Sequence, residues 1–503
     1  MIPPAIFSFI IGGISIFLLL SANYNYMNTR FVGRTVELEL LRKALVSERS
    51  EMIVVIGRRR VGKTHLIKQA FGDRLDFEMT GIQHANLSLQ LANFFNKLQE
   101  FFKLEKAVAP PVTWFEAFSL LKAQLPPKRR GRKKVIFLDE LPWICTPKSG
   151  FLEALGHFWN DWAVNNHVLI ALCGSAASWM INQVQHHKGS LHNRISQLIH
   201  LQPFTLAETA LFLNEKKVVL NQYQIVQLYM VTGGVPHYLN DIDKSRSVAQ
   251  NVDRLCFSPH GLLKDEFDKL YSSLFDAADS HIAVIRALAG KWVGLTRSEL
   301  LNITGFTDGG SFTRILTELE QSDFITTVLP FNKKKKEMLY RLIDNYSLFY
   351  LKFMEDKRKG GEGTFLSLER TSSWKSWCGY AFENICLTHL PQIKSELGIS
   401  GVYTDVSSYF QKGTAKEKGV QIDMLINRAD GIINLCEIKF YDAPFVITKD
   451  YAIDLRQKRD AVRKAGSNKK SIFITLITCF GVHPNSYASE LVQSHVSIEK
   501  LFA

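Results

Sequence analysis

The sequence predicts an α/β protein: a parallel sheet covered by helices, then a helical stretch, then a second and separate α/β region. Three observations predict this. Short Val/Ile/Leu-rich runs (MIVVIG ending at Gly57, VIFLDE at 135–140, VLIALCGS at 168–175) alternate with segments of helical period. Unbroken apolar runs of that length read as strands buried on both faces, which is how parallel sheets look in sequence. The pattern becomes helical over 205–275 and returns to mixed strand and helix after Trp374. The composition agrees: 503 residues, 46% hydrophobic and 22% charged, suit a folded chain with more than one buried core.

The 61 Lys and Arg exceed the 48 Asp and Glu by 13. Such a surplus favours polyanionic partners: nucleic acid, nucleotide phosphates or an anionic membrane face. An ordinary basic surface gives the same number. The seven cysteines include no CxxC pair and are odd in count. This argues against a disulfide framework or a structural zinc site and for buried free thiols. No GxSxG, no HExxH and no GxGxxG behind a strand is present, which sets aside the serine hydrolases, zincins and dinucleotide enzymes.

Taken in order, the chain opens with an uncharged run from Ala5 to Ala22, just short of the ~20 residues of a membrane span. It lacks the basic start and cleavage site of a secretory signal. Two readings stay open for residues 1–26: an anchor that leaves the body cytoplasmic, with Arg30 and Arg34 on the inner side, or an extension upstream of a true start at Met27. A helix-period segment, Val36 to Leu45, leads into the first strand.

Gly57 to Thr64, GRRRVGKT, fits G-x-x-x-x-G-K-[ST] between a strand and a helix, the context a phosphate-binding loop requires. Gly57 and Gly62 let the backbone of Arg58, Arg59, Arg60 and Val61 wrap phosphates with N–H groups inward. Lys63 then reaches the β/γ-phosphates, and the Thr64 hydroxyl ligates Mg2+. VIFLDE ends in an acidic pair. Asp139 completes the Mg2+ shell and Glu140 orients or activates the attacking water. ATP and Mg2+ are the expected cofactors, and hydrolysis is expected over binding alone.

FVGRTVEL, GRRRVGKTHLI, FLDELPWI and LCGSAASWM, in this order, resemble the AAA+ ATPases of archaeal and bacterial type related to STAND NTPases, from about Arg30 to Tyr350. The resemblance implies a P-loop ATPase core over 28–204, a helical lid over 205–278 and a winged helix over 279–355. It implies that Ser175 contacts the γ-phosphate or its water, and that Arg194 in GSLHNRI acts as an arginine finger on a neighbouring subunit, hence a homo-oligomer on ATP binding. Gly233 and Pro236 in TGGVPHYL correspond to the lid's GxP element. Phe31, Val32, Gly33 and Arg34 would lie near the adenine. Ser175 as a strand-end cap and Arg194 as a surface ion pair are the plainer alternatives.

LTRSELLNITGF, GGSFTRILTELEQSDFI and TVLPFNKKKKEMLYRLID read as helix, helix and wing, with Thr296 and Glu299 at capping-box spacing. Arg314 would lie on a recognition helix and Lys333 to Lys336 at a hairpin tip, where cations touch phosphates. Glu318, Glu320 and Asp323 around Arg314 favour a lid or protein-contact role instead. The basic run Lys128–Lys134 is a solvated loop or a nucleic-acid patch.

KRKGGEG, Lys357–Gly363, marks a boundary, with residues 356–373 as linker and 374–503 as the last domain. There GVQIDMLINRADGIINLCEIKF reads as two strands joined by a turn at Arg428–Gly431. Glu437 and Lys439, at i and i+2, share one face of the second strand and meet Asp423 on the first. Charge inside an apolar strand needs a partner. A divalent metal on Asp423 and Glu437 supplies one, with Lys439 positioning or deprotonating a water beside a phosphate. An edge-strand ion pair is the alternative. The constellation resembles the PD-(D/E)XK, restriction-endonuclease-like, superfamily. That resemblance implies a nuclease-like domain acting on nucleic acid, Glu383 as an additional metal-site acid and Lys458 as an accessory polar residue. The competing reading is an ATP-dependent switch whose last domain binds a partner without cleaving.

Overall fold

The computed structural model describes residues 31–104, 108–126, 132–186, 191, 193–357, 361–413, 419–466 and 470–503. The uncharged run near the start and residues 128–131 of the basic run lie outside them. Among the described residues no helix is long and apolar enough to cross a membrane.

Strands β1 (Glu51–Ile56), β2 (Leu75–Thr80), β3 (Lys134–Asp139), β4 (Val168–Gly174) and β5 (Gln197–His200) form one sheet in the order β2-β3-β4-β1-β5. All its pairings are parallel. Every residue of β1, β3 and β4 is buried, which is why these three read as unbroken apolar runs. Their carboxyl ends lie side by side, where ligands of open parallel sheets bind. Helices pack Phe94, Trp114, Phe118 and Phe151 against one face, with the Trp114 and Phe151 rings edge-on at 4.8 Å.

The stretch after β5 is helical: Leu206–Glu215, Gln222–Thr232, Pro236–Asn240, Val248–Cys256 and Glu266–Ser272. Thr205/Glu208, Asn221/Gln224 and Ser247/Gln250 start three of these helices with reciprocal capping boxes. Helices Ala278–Ala289, Arg297–Thr304 and Gly310–Gln321 follow, beside a small antiparallel sheet of β6 (Leu295–Thr296), β7 (Ile325–Val328) and β8 (Leu339–Leu342) in the order β6-β8-β7. Thr296 and Glu299 form the expected capping box. Lys333 to Lys336 are exposed between β7 and β8, and Lys333 reaches Glu337 at 3.0 Å. Arg314 is exposed and pairs with Glu318 at 3.6 Å.

The last region sets β9 (Thr404–Gln411), β10 (Val420–Arg428), β11 (Ile432–Lys439), β12 (Ser471–Thr478) and β13 (Val492–Ser497) in the order β13-β12-β11-β10-β9. The β9–β10–β11 pairings are antiparallel and the β11–β12–β13 pairings parallel. Helices Ser372–Thr388 and Lys449–Ala465 complete it.

The described part of 356–373 is not a bare tether. It holds the short helix Thr364–Leu368, and the buried Asp253 carboxylate accepts from the Gly363 and Phe365 N–H groups at 2.6 and 2.7 Å. The physical reason is Phe365, which is buried and meets Trp374 edge-on at 5.0 Å. One hydrophobic cluster consequently runs without a break from Phe204 to Leu501, while the nucleotide-loop sheet has its own core.

Candidate functional site: a phosphate loop and a buried carboxylate cluster

Gly57 leaves β1 at φ 147°, and a Cβ there would stand 2.3 Å from the Leu201 carbonyl oxygen, so only glycine fits. Gly62, at φ 94°, caps helix Lys63–Phe71 with no side-chain cap, leaving its positive end facing the loop. Lys63 is buried. Its Nζ donates to the carbonyls of Gly57 and Arg58 at 2.9 and 3.0 Å and to Ser175 Oγ at 2.9 Å. Thr64 Oγ1 donates to Asp139 Oδ2 at 2.8 Å. A hydroxyl and a carboxylate at this distance, beside the loop, are the donor set a hard cation needs, so the residues present fit Mg2+.

Glu140 directly follows β3 in the left-handed region, at φ 50°. Such a conformation costs a non-glycine residue about 1–3 kcal/mol and persists only when neighbours hold it. Ser175 does so: its Oγ donates to Glu140 Oε1 at 2.6 Å and its N–H to Oε2 at 3.1 Å. Ser175 therefore bridges Lys63 and Glu140. Arg194 stands elsewhere, with Nε donating to Asn160 Oδ1 at 2.8 Å.

The loop's arginines are tied to the helical region. Arg58 is 2% exposed, pairs with the buried Asp344 and lies 5.3 Å over the Phe324 ring. Burial opposes its charge, but Asp344 outweighs this and holds the guanidinium above its usual range. Arg60 reaches Glu266 at 2.7 Å, and Glu266 accepts from the Tyr238 hydroxyl at 2.9 Å. Burial raises the Glu266 carboxyl against the pull of Arg60. Gly233 ends helix Gln222–Thr232 at φ 61°, and Pro236 starts the next helix, which carries Tyr238. Arg34 donates to the Val61 carbonyl at 3.4 Å and lies 4.6 Å over Phe204.

The second cluster stands at the end of the β10–β11 hairpin. Glu437 is fully buried. It accepts from Lys458 Nζ at 2.8 Å, from the Tyr451 hydroxyl at 2.8 Å and from Lys439 Nζ at 3.4 Å. Asp423 Oδ2 accepts from the Ile438 N–H at 2.9 Å and lies 3.9 Å from Lys439 Nζ. Glu383, on helix Ser372–Thr388, accepts from Arg341 Nη2 at 3.4 Å. Burial and then the Asp423 charge push Glu383 up to about 8 and also raise Glu437. Burial works against the Lys439 charge, but Glu437 and Asp423 prevail and raise it. Asp423, Glu437, Lys439 and Lys458 are thus brought together as the sequence predicts. Glu383 joins them electrostatically but is held by Arg341. Among the described residues, no group of three or more His, Cys, Asp or Glu side chains stands in metal-holding geometry.

Sequence reasoning missed Arg341, Asp344, Glu266 and Tyr451. Tyr451 had a signal: it lies seven positions before Lys458 and so on the same helix face. Three consecutive arginines in a phosphate loop were a signal that buried acids must answer them.

The model of an ATPase domain found predominantly in Archaea matches residues 31–242. An uncharacterized protein of Methanocaldococcus jannaschii is 23% identical over 436 residues, covering 86% of this chain and 92% of its own. An uncharacterized ATP-binding protein of the same organism is 25% identical over 290 residues, covering 49% of this chain and 79% of its own. Among solved structures, the Walker-type ATPase of Pyrococcus abyssi is 17% identical, with TM-score 0.46, covering 64% of this chain and 97% of its own. The Aeropyrum pernix ORC2 protein is 14% identical, with TM-score 0.42, covering 69% and 98%. Residues 31–242 thus match the model of an ATPase domain and fold as a parallel α/β sheet with a phosphate loop leaving β1.

Proposed function

We propose that the chain couples its ATPase domain to a nuclease-like C-terminal region that acts on nucleic acid. The carrying observation is the buried Glu437, with Asp423 and Lys439 beside it at the hairpin end. Buried carboxylates that raise one another's proton affinity form a place where a divalent cation gains most, because it removes the repulsion that burial magnifies. Asp423, Glu437 and Glu383 supply oxygen donors of the kind Mg2+ takes, but they would have to leave their present partners and close up to hold it, since among the described residues no three acids stand in metal-holding geometry. A metal there would supply Lewis-acid activation of a phosphodiester and its water. Lys439 then sits by the reacting phosphate, and Lys458 and Tyr451 orient Glu437. On the nucleotide side, Lys63 contacts phosphate, Thr64 and Asp139 hold Mg2+, and Glu140, with Ser175, orients the water. Arg194 as a finger in trans would require a homo-oligomer. The three-helix and small-sheet region at 279–355 reads as a winged helix in a lid or protein-contact role, since Arg314 pairs with Glu318 and Lys333 with Glu337. The body of the chain acts in the cytoplasm.

The second reading is an ATP-dependent switch that binds a partner without cleaving. One observation favours it: Tyr451, Lys439 and Lys458 already occupy the Glu437 carboxylate. The deciding experiment incubates the full chain with labelled single- and double-stranded DNA and RNA, Mg2+, and ATP or none, beside Lys63→Ala and Glu437→Ala. Cleavage lost in Glu437→Ala establishes the nuclease. No cleavage with ATPase activity intact leaves the binding switch.

A further inference from the structure

Glu140 sits where the backbone turns out of β3, and its main chain is held on two flanks. On one flank its carbonyl accepts the N–H groups of Trp143 and Ile144 at 2.9 and 3.4 Å, so the single helical turn Leu141–Ile144 hangs on Glu140. On the other flank the chain leaving β2 lies against it. The Gly81 N–H donates to the Asp139 carbonyl at 2.9 Å, and a Cβ on Gly81 would stand 2.9 Å from the Glu140 carbonyl oxygen. Contacts this close fix the peptide only while the two flanks are fixed to each other.

One side chain joins them. Gln90, on helix Leu87–Phe102, has no exposed surface. Its Oε1 accepts from the Ile82 N–H at 3.2 Å. Its Nε2 donates to the Ile82 carbonyl at 2.7 Å and to the Trp143 carbonyl at 2.8 Å. Both amide hydrogens are therefore committed, and turning the amide over would set its oxygen against two carbonyls. Ile82 follows Gly81, and Trp143 belongs to the turn that Glu140 begins. The helix itself is anchored. Asn86 caps its start by accepting from the Leu89 N–H at 3.0 Å, and Asn93 Nδ2, one turn past Gln90, donates to the Thr80 carbonyl at 2.9 Å. Leu91, Phe94 and Leu98 of the same helix are buried in the core of the nucleotide sheet. An amide in such a core is costly unless paired, and here it pairs with two separate segments of backbone.

We infer that Gln90 is a positioning residue for ATP hydrolysis: it ties the exit of β2 to the turn after β3 and so sets where the Glu140 carboxylate meets its water. Ser175 holds the carboxylate end of Glu140; Gln90 holds the backbone from which that carboxylate projects. A misplacement of about 1 Å at a catalytic group can cost on the order of 100-fold in rate. None of the three Gln90 bonds goes to the phosphate loop, so nucleotide affinity should not follow the rate. The inference rests on the water-orienting role proposed for Glu140, and its test separates the two.

Phosphate release from MgATP by the full chain is measured for wild type, Gln90→Met, Glu140→Gln and the double variant, beside the Kd for a fluorescent ATP analogue. Methionine keeps the length and roughly the volume of the side chain and removes the amide. Gln90→Met should lower kcat about 10- to 100-fold and leave the Kd unchanged. On the Glu140→Gln background the same change should cost little more, because residues that act through one another are not additive. Gly81→Ala crowds the Glu140 carbonyl without touching the amide. It should repeat both results, and it decides the matter should Gln90→Met fail to fold. Asn93→Ala loses the bond from the same helix to the end of β2 and should keep the wild-type kcat. Wild-type kcat in folded Gln90→Met overturns the inference. So does a loss repeated in full on the Glu140→Gln background, a loss that Asn93→Ala shares, or a change confined to the Kd. Glu140→Gln at the wild-type rate, or a wild type that releases no phosphate, removes the role proposed for Glu140 itself, and Gln90 falls with it.

Discussion

Replacing Asp344 probes the joint between phosphate loop and helical region. The Arg58 and Asp344 side chains are 2% and 1% exposed, so the pair has almost no solvent to fall back on. Removing one partner of a buried pair costs about 3–5 kcal/mol, because the remaining charge stays buried and unmatched. Asp344→Asn keeps an oxygen for the Ser347 N–H and should lose only that amount. Asp344→Ala also loses the helix cap, which adds about 1 kcal/mol. Against a domain stability of about 5–15 kcal/mol these are large losses. Urea unfolding followed by tryptophan fluorescence reads them as midpoint shifts multiplied by the m-value. The paired change Arg58→Met with Asp344→Leu should restore most of the loss, since apolar replacement of a buried pair is neutral or favourable. A loss below about 1 kcal/mol in Asp344→Asn, or a double variant as weak as the single, would refute the reasoning.

Other expectations follow from the same geometry. Lys63→Ala should abolish nucleotide retention in a filter-binding assay, since its ammonium is the loop cation that reaches Ser175 at the end of β4. Glu140→Gln should bind ATP yet release phosphate about 100-fold more slowly or worse, the usual scale of a lost general base; a rate within a few-fold of wild type assigns the water to another residue. In metal-free protein Glu383 keeps its proton up to about 8. A carboxyl whose folded value is raised favours the fold below its unfolded value near 4.5, and that contribution is lost as pH climbs through 8. The thermal midpoint should therefore fall between pH 5 and 8.5, roughly the span set by those values, with Glu383→Gln flattening the slope. An equal slope in Glu383→Gln removes this carboxyl as the cause.

The strands that build the nucleotide site were legible because burial on both faces leaves a continuous apolar run. β2 was not, since LDFEMT sits at the sheet edge and mixes charge with apolar residues. The Glu437/Lys439 pair was legible because its i, i+2 spacing is a local property of a strand. Arg341 lies in a strand too, but its partner is 42 positions away on a helix. Arg58 and Asp344 are 286 positions apart, so only the folded chain shows that the loop's extra arginines have a use. The glycine-rich KRKGGEG offered a boundary by composition. Composition could not reveal that Phe365, just beyond it, is buried against Trp374.

That continuous cluster from Phe204 to Leu501 has a consequence for how such a chain is inherited. A recombination event at the glycine-rich turn would leave Phe349, Trp374 and Trp377 facing water on both fragments, two adhesive halves that no cell would keep. Ahead of Phe204 the aromatic wall is not yet begun. Lineages that trade parts of this architecture should therefore cut after the nucleotide sheet, passing on the helical region, the small sheet and the carboxylate cluster as one heritable piece that still needs a cation beside Asp344.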